Sequence, residues 1–205
     1  MPILPAEPNH FPDDLFQGPA SSLSETDRWW VLHTRPRAEK SLARAIYQAR
    51  RSFYLPLYVH QWRSNGRYFK SQLPLFPGYV FLHADEGAAM DLRSTGWVAN
   101  VLQVSEQNQL HEDLFNVFRL IATGAPLQPE QKLRPGARVV VNSGPFQGLE
   151  GTVMRKGSKL RLVVQVHLLQ QGVSVDMETW MVAPTTDRRQ GNGLYAVETK
   201  AQAHQ

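Results

Sequence analysis

The stretch LPLFPGYVF, residues 73–81, limits the folds open to this chain more than any other. It has the aromatic and aliphatic content of a buried strand, yet Pro74, Pro77 and Gly78 interrupt it. Proline has no N–H to give to a ladder and belongs at strand starts, edges or bulges. The segment therefore predicts a turn at Phe76-Pro77-Gly78 that delivers the chain into a strand over 78–84, GYVFLHA. Upstream, RWWVLHT (28–34) reads as a second buried strand, and Pro36 keeps Arg35 out of helix. AEKSLARAIYQARR (38–51) follows as a helix: Leu42, Ala45, Ile46 and Ala49 share an apolar face. Lys40, Arg44 and Arg51 lie roughly opposite, with Arg37 just before the first turn.

The patterns continue in both directions. FYLPLYVHQWR (53–63) predicts a strand, Asn65-Gly66 a tight reversal, and RYFKSQLP the return strand. This long hairpin carries Arg63, Arg67 and Lys70 near its tip. A short helix in DEGAAMDLRST, a strand over 97–105 and a helix over 111–124 complete an α+β domain at 28–124. APLQPEQK, 125–132, reads as a linker, and 133–184 as short β-rich runs between glycine-bearing turns, a spacing that suggests a small antiparallel barrel. Residues 1–27, rich in proline, read as a disordered acidic leader, and 185–205 as a polar tail.

Charge narrows the class of partner. Residues 1–27 hold five acids and no Lys or Arg, whereas Arg28 to His83 holds ten Lys/Arg and one acid. Lys132 to Arg161 holds seven against one, and its stretch from Arg155 to Arg161 offers a basic surface to RNA. Such blocks suit an anionic partner, nucleic acid first, and a solvated surface equally. Without cysteine, disulfides and thiolate metal sites are excluded. His33, His60 and His83 fall on three strands but lack metal-ligand spacing, so no metal or other cofactor is expected. The basic domain has too few acids for a carboxylate pair, and the glycines at 136–151 precede no helix start, so no catalytic role is expected. Neither a membrane span nor a secretory signal is visible, which points to a cytoplasmic protein.

GARVVVNSGPFQGLEGTV, 136–153, resembles a KOW motif, whose glycines permit positive φ and close backbone approach in a tightly curved barrel. WWVLHT, a helix opened by AEK, the hairpin and LFPGYVF, in that order, resemble the amino-terminal domain of the NusG family of transcription elongation factors. The resemblance covers about 28–184 and implies an α/β sandwich followed by a small KOW (SH3-like) β-barrel. RLVVQVHLLQQGVSVDMETWMVAP is closer to specialised UpxY/RfaH-like paralogues than to general NusG, which tends to an F-G-R-x-T-P-like run where Leu169-Gln170-Gln171-Gly172 stands here.

The resemblance implies a non-enzymatic factor that docks on the β′ clamp helices of RNA polymerase and suppresses pausing and termination, in specialised members at specific operons. Its docking face would comprise His33, Phe76, Pro77, Tyr79 and Phe81. Arg35, Arg37, Lys40, Arg44 and hairpin Arg67 would meet the non-template DNA strand. Trp62, Tyr68 and Phe69 offer stacking or pack on their own sheet. The KOW domain would recruit Rho or a small-subunit ribosomal protein. A general elongation factor and a ribosome-associated KOW protein that binds RNA are the competing readings. From the residues alone, Tyr79 and Phe81 are ordinary core.

Overall fold

A computed structural model describes residues 8–16, 27–130, 137–156, 159–178 and 181–184. The expected tail at 185–205 and most of the expected leader lie outside the described residues. The first sheet is antiparallel throughout, in the order β1 (His10–Phe11), β3 (Ser52–Tyr54), β6 (Tyr79–Ala84), β2 (Arg28–Thr34), β7 (Val98–Gln103). Alternation along β2 sends Trp29 and Val31 to one face and Trp30 and Leu32 to the other. On the Trp30 face, α1 (Glu39–Gln48) and α2 (Glu86–Arg93) bury Leu42, Ile46, Ala89 and Leu92. On the Trp29 face, α3 (Gln107–Ala122) packs with Leu110, Leu114 and Val117.

Several expected elements have moved limits. The strand expected over 53–63 is divided at Pro56, which has no N–H for the ladder. Its first part is β3; its second, β4 (Leu57–Ser64), pairs only with β5 (Arg67–Pro74) in a separate two-stranded sheet. Asn65 and Gly66 turn this hairpin with φ of 49° and 76°, as a two-residue reversal requires. α3 starts four residues before the expected 111, because the Gln107 amide grips another element. Its Oε1 accepts from the Trp29 N–H at 2.7 Å, and its Nε2 donates to the Trp29 and Val104 carbonyls at 3.0 Å.

The leader is not disordered at 8–16. β1 pairs with β3, the Leu55 N–H donates to the Asn9 carbonyl at 2.6 Å, and Leu15 and Phe16 are buried. Two apolar side chains bring this acidic segment down onto the Trp29 face. The linker is also partly structured, since β8 (Gln128–Glu130) pairs with a strand of the second sheet.

That second sheet runs β13 (Val182–Pro184), β9 (Ala137–Val141), β10 (Glu150–Lys156), β11 (Lys159–Val166), β12 (Gln171–Met177), β8, all antiparallel. Gly144 and Gly148 hold φ of 82° and 76° in the β9–β10 connection. Gly151 is a close approach: a Cβ there would lie 2.6 Å from the Val163 carbonyl oxygen. Val141, Phe146, Leu149, Val164 and Val175 fill its core, which is continuous through α3 with the Trp29 face.

Candidate interaction surfaces

The Phe76-Pro77-Gly78 turn is fixed from three sides. Gly78 takes φ of 86°, a left-handed conformation that favours glycine. Its N–H donates to Glu39 Oε1 at 2.8 Å, and its carbonyl accepts from the Thr34 N–H at 2.8 Å. His33 covers it, so a Cβ on Gly78 would meet the imidazole at 3.6 Å. Glu39 is buried, the first residue of α1 reaching back to the turn.

The turn divides the five residues assigned to protein docking. His33 and Pro77 are exposed and Tyr79 is half-buried; the His33 and Tyr79 rings lie 5.3 Å apart, centroid to centroid. Phe76 and Phe81 do not present themselves at all: Phe76 is 1% exposed, Phe81 is fully buried, and their rings meet edge to face at 6.2 Å. Tyr79 and Phe81 do share a strand face, but α3 and the segment around Phe16 cover its inner part. The surface patch is therefore His33, Pro77 and Tyr79, with Phe76 and Phe81 as core beneath it.

The basic residues assigned to nucleic acid fall into two groups. Arg35, Arg37 and Arg44 are exposed and Lys40 half-buried, all in the β2–α1 loop and the first turns of α1. Arg37 sits at φ of 63°, in the turn that throws its side chain outward. Arg67 stands apart from them, exposed at the hairpin tip. The hairpin aromatics are exposed as well: Tyr68 75%, Trp62 42%, Phe69 42%.

The expected basic surface over 155–161 loses its last member. Arg161 is buried, with Nε 2.9 Å from Asp176 Oδ1 and a terminal guanidinium nitrogen 3.3 Å from Glu130 Oε1. Lys159 is also paired, 2.6 Å from Asp176 Oδ2. These two partners hold the Asp176 carboxyl below its ordinary range, Lys159 first. The burial forces the pairing, since a cation out of water needs carboxylates.

His83 is buried on β6 and His33 exposed at the other end of β2, with His60 in the separate hairpin, so the three are not brought together. What sequence reading missed lies on the Trp29 face. Phe16 enters a cage of Trp29, Tyr54, His111, Phe115 and Phe118, with ring centroids 5.0–6.2 Å away. His111 and His83 flank Trp29, whose Nε1–H donates to His111 Nδ1 at 3.3 Å. Burial lowers the pKa of both imidazoles; Asp27 opposes this at His83 and Glu112 at His111.

α3 also holds the second sheet. Asp113, buried, accepts from the His167 backbone N–H at 2.8 Å and lies 2.9 Å from His167 Nδ1. Arg119 donates to the Gly148 and Gln147 carbonyls at 2.9 and 2.7 Å. His167 lies in a short 3₁₀ turn, His167–Leu169, that leads to Gln170 at φ of 52°.

Together these features give two large antiparallel sheets joined through α3, with a basic loop and an aromatic hairpin exposed. Residues 27–119 match the NusG family, described as transcription termination factor nusG. The matched span starts one residue before β2 and ends within α3. Among solved structures, the chain is similar to one entitled "Domain interaction in Thermotoga maritima NusG", at 19% identity and TM-score 0.45. That alignment covers 76% of this chain and 96% of the other. No curated protein matches. Among the described residues, no helix is long and apolar enough to cross a membrane.

Proposed function

We propose that this chain is a non-catalytic transcription elongation and antitermination factor of the NusG family, a specialised UpxY/RfaH-like paralogue. It binds RNA polymerase on the β′ clamp helices and suppresses pausing and termination at a limited set of operons in the cytoplasm. The observation that carries this reading is the family match over 27–119, which runs from β2 into α3. Its docking patch is His33, Pro77 and Tyr79, held in place by Phe76 and Phe81 beneath. Arg35, Arg37, Lys40 and Arg44 lie together at the β2–α1 turn and hold the phosphates of the non-template DNA strand. The second sheet acts as a KOW barrel that recruits Rho or a small-subunit ribosomal protein. Where general NusG tends to an F-G-R-x-T-P-like run, this chain has Leu169-Gln170-Gln171-Gly172, which supports the specialised assignment. Binding energy, not chemistry, shifts the polymerase between states.

Capture of purified bacterial RNA polymerase by the full chain, compared with a His33→Ala/Tyr79→Ala variant, tests the proposal. The wild type should retain polymerase, and the folded variant should lose most of it. Wild-type capture of ribosomes or free RNA without polymerase would overturn the reading in favour of a ribosome-associated KOW protein.

A further inference from the structure

The hairpin β4–β5 shares no ladder with either large sheet. Among the described residues, it carries five of the eight exposed large apolar side chains: Val59, Trp62, Tyr68, Phe69 and Leu73. A two-stranded hairpin gains little stability by itself, so exposed apolar surface concentrated on one calls for a partner.

Register shows which partner. Trp62 pairs directly with Phe69, and their rings stack at 5.5 Å with an interplanar angle of 17°. His60 continues the stack, 5.6 Å from Trp62 at 21°, and Tyr58 meets His60 edge-on at 6.4 Å and 72°. Tyr58 and His60 also line a cleft of about 540 Å³ at the hairpin base, closed on the far side by Ile121 and Pro126. Arg67 pairs with Ser64 and shares this aromatic face at the tip. On the opposite face the Arg63 guanidinium lies 5.5 Å from the Tyr68 ring, with Lys70 one pair further along. No Asp or Glu occurs from residue 57 to 74.

A row of flat rings with a cation at its tip and no acid matches single-stranded nucleic acid. Every unpaired base has a π face to stack, and its phosphates meet Arg and Lys. A duplex keeps its bases stacked on one another and gives Trp62 and Phe69 nothing to cover. We infer that the face bearing His60, Trp62 and Phe69 is a stacking platform for unpaired bases of single-stranded nucleic acid, with Arg67 holding the backbone. This deepens the nucleic-acid contact proposed above and rests on that part of the reading. It makes the hairpin rings, rather than the β2–α1 cations alone, responsible for preferring single strands.

The experiment is fluorescence anisotropy with a labelled short oligothymidylate and a duplex of equal length, across a range of salt. It compares the full chain with Trp62→Ala/Phe69→Ala, Trp62→Tyr/Phe69→Tyr, Arg67→Ala and Arg35→Ala/Arg37→Ala. The wild type should prefer the single strand by about tenfold or more, and loss of both rings should remove about that much affinity without changing the salt slope. The tyrosine pair, which keeps flat rings, should bind as wild type does. Loss of Arg67 should flatten the log–log salt slope by about 0.7. Equal affinity for duplex and single strand, undiminished binding by the alanine ring variant, or equal failure of both ring variants would overturn the inference. If the Arg35/Arg37 variant keeps single-strand binding while the ring variant loses it, the hairpin platform stands and the loop assignment falls; the reverse result sinks the platform. Polymerase capture by the ring variant separates this outcome from failure of the polymerase reading.

Discussion

Glu39 and Gly78, distant in sequence, meet in a 2.8 Å hydrogen bond from the glycine N–H to the glutamate Oε1. The bond ties the start of α1 to the turn that launches β6, and it explains why a proline-glycine pair stands before an aromatic strand. Gly78 needs its left-handed φ, and its N–H would be left without an acceptor if Glu39 were removed. Glu39→Ala should therefore destabilise the chain by about 1–3 kcal/mol. Glu39→Gln, which keeps an acceptor oxygen, should cost less. Gly78→Ala should cost about 1–2 kcal/mol through backbone strain. Urea denaturation of the three variants measures each value, and a neutral Glu39→Ala would show the turn to be held by packing alone.

The elements most legible in the sequence were those whose local pattern and tertiary role agree. RWWVLHT became β2 at its expected limits, and Asn65-Gly66 the hairpin turn. Misreadings fell where a long-range partner decides. Gln107 looks like a loop residue until its amide is seen on the Trp29 backbone. Phe16 sits among acids and prolines, and nothing local announces its aromatic cage. Phe81 reads as core from the residues alone and is core, but the family resemblance placed it on a docking face, because the α3 and Phe16 that cover it lie far off in sequence. Arg161 counted as surface charge until Glu130 and Asp176 closed on it.

Acid should weaken the Trp29 face. Burial lowers the pKa of His83 and His111 from the ordinary 6.5, and each also faces an acid, Asp27 or Glu112, that opposes the shift. With folded values depressed, the unfolded chain binds more protons below about pH 6.5, so stability falls as pH drops through that window and is unaffected above it. Each histidine adds a slope of at most about 1.4 kcal/mol per pH unit. The Trp29 Nε1–H bond to His111 Nδ1 requires that nitrogen unprotonated, which reinforces the direction. Denaturation midpoints from pH 7.5 to about 5 should decline for the wild type, and His83→Gln/His111→Gln should flatten the decline.

Phe16 should anchor the segment 8–16. Truncating a fully packed Phe costs about 3–5 kcal/mol, but here the loss stops once the segment detaches. Phe16→Ala should therefore cost no more than deletion of residues 1–16. The local reporter is the Leu55 N–H, which donates to the Asn9 carbonyl. Its hydrogen exchange should accelerate in Phe16→Ala while that of the β2–β6 ladder stays protected. Unchanged exchange at Leu55 would show that β1 holds without its aromatic anchor.

Arg161 should hold β8 to the second sheet. Its two carboxylates come from β8 and β12, and Glu130 Oε1 also accepts from the Ser174 hydroxyl at 2.8 Å. Arg161→Ala leaves Glu130 beside a buried gap. Both acids are partly solvated, so the cost should fall below that of a fully buried pair, at about 1–3 kcal/mol. Because Asp176 titrates below its ordinary range, its contribution is present above pH 3.8 and is lost as pH falls through the lowered value. Amide exchange at Ser174 and Gly172 should report the release of β8, and wild-type protection there in the variant would contradict the role given to Arg161.

The contact between the two parts of the chain rests on few polar groups, so it should be separable from folding. Asp113 satisfies the His167 backbone N–H and ring, while Gln109 Nε2 donates to the same carboxylate at 2.9 Å. Arg119 supplies two hydrogen bonds to the turn before β10. Asp113→Ala strands one half-buried N–H and the His167 ring, and Arg119→Ala strands two carbonyls that water can reach, so the aspartate should matter more. Apolar contacts through α3 remain in both variants, since the core is continuous there. The double variant should therefore loosen the junction without unfolding either sheet. NMR shift changes should concentrate on α3, His167–Leu169 and Gln147–Gly148, with both sheets keeping their dispersion. Collapse of the second sheet instead would mean that it depends on α3 for its own stability.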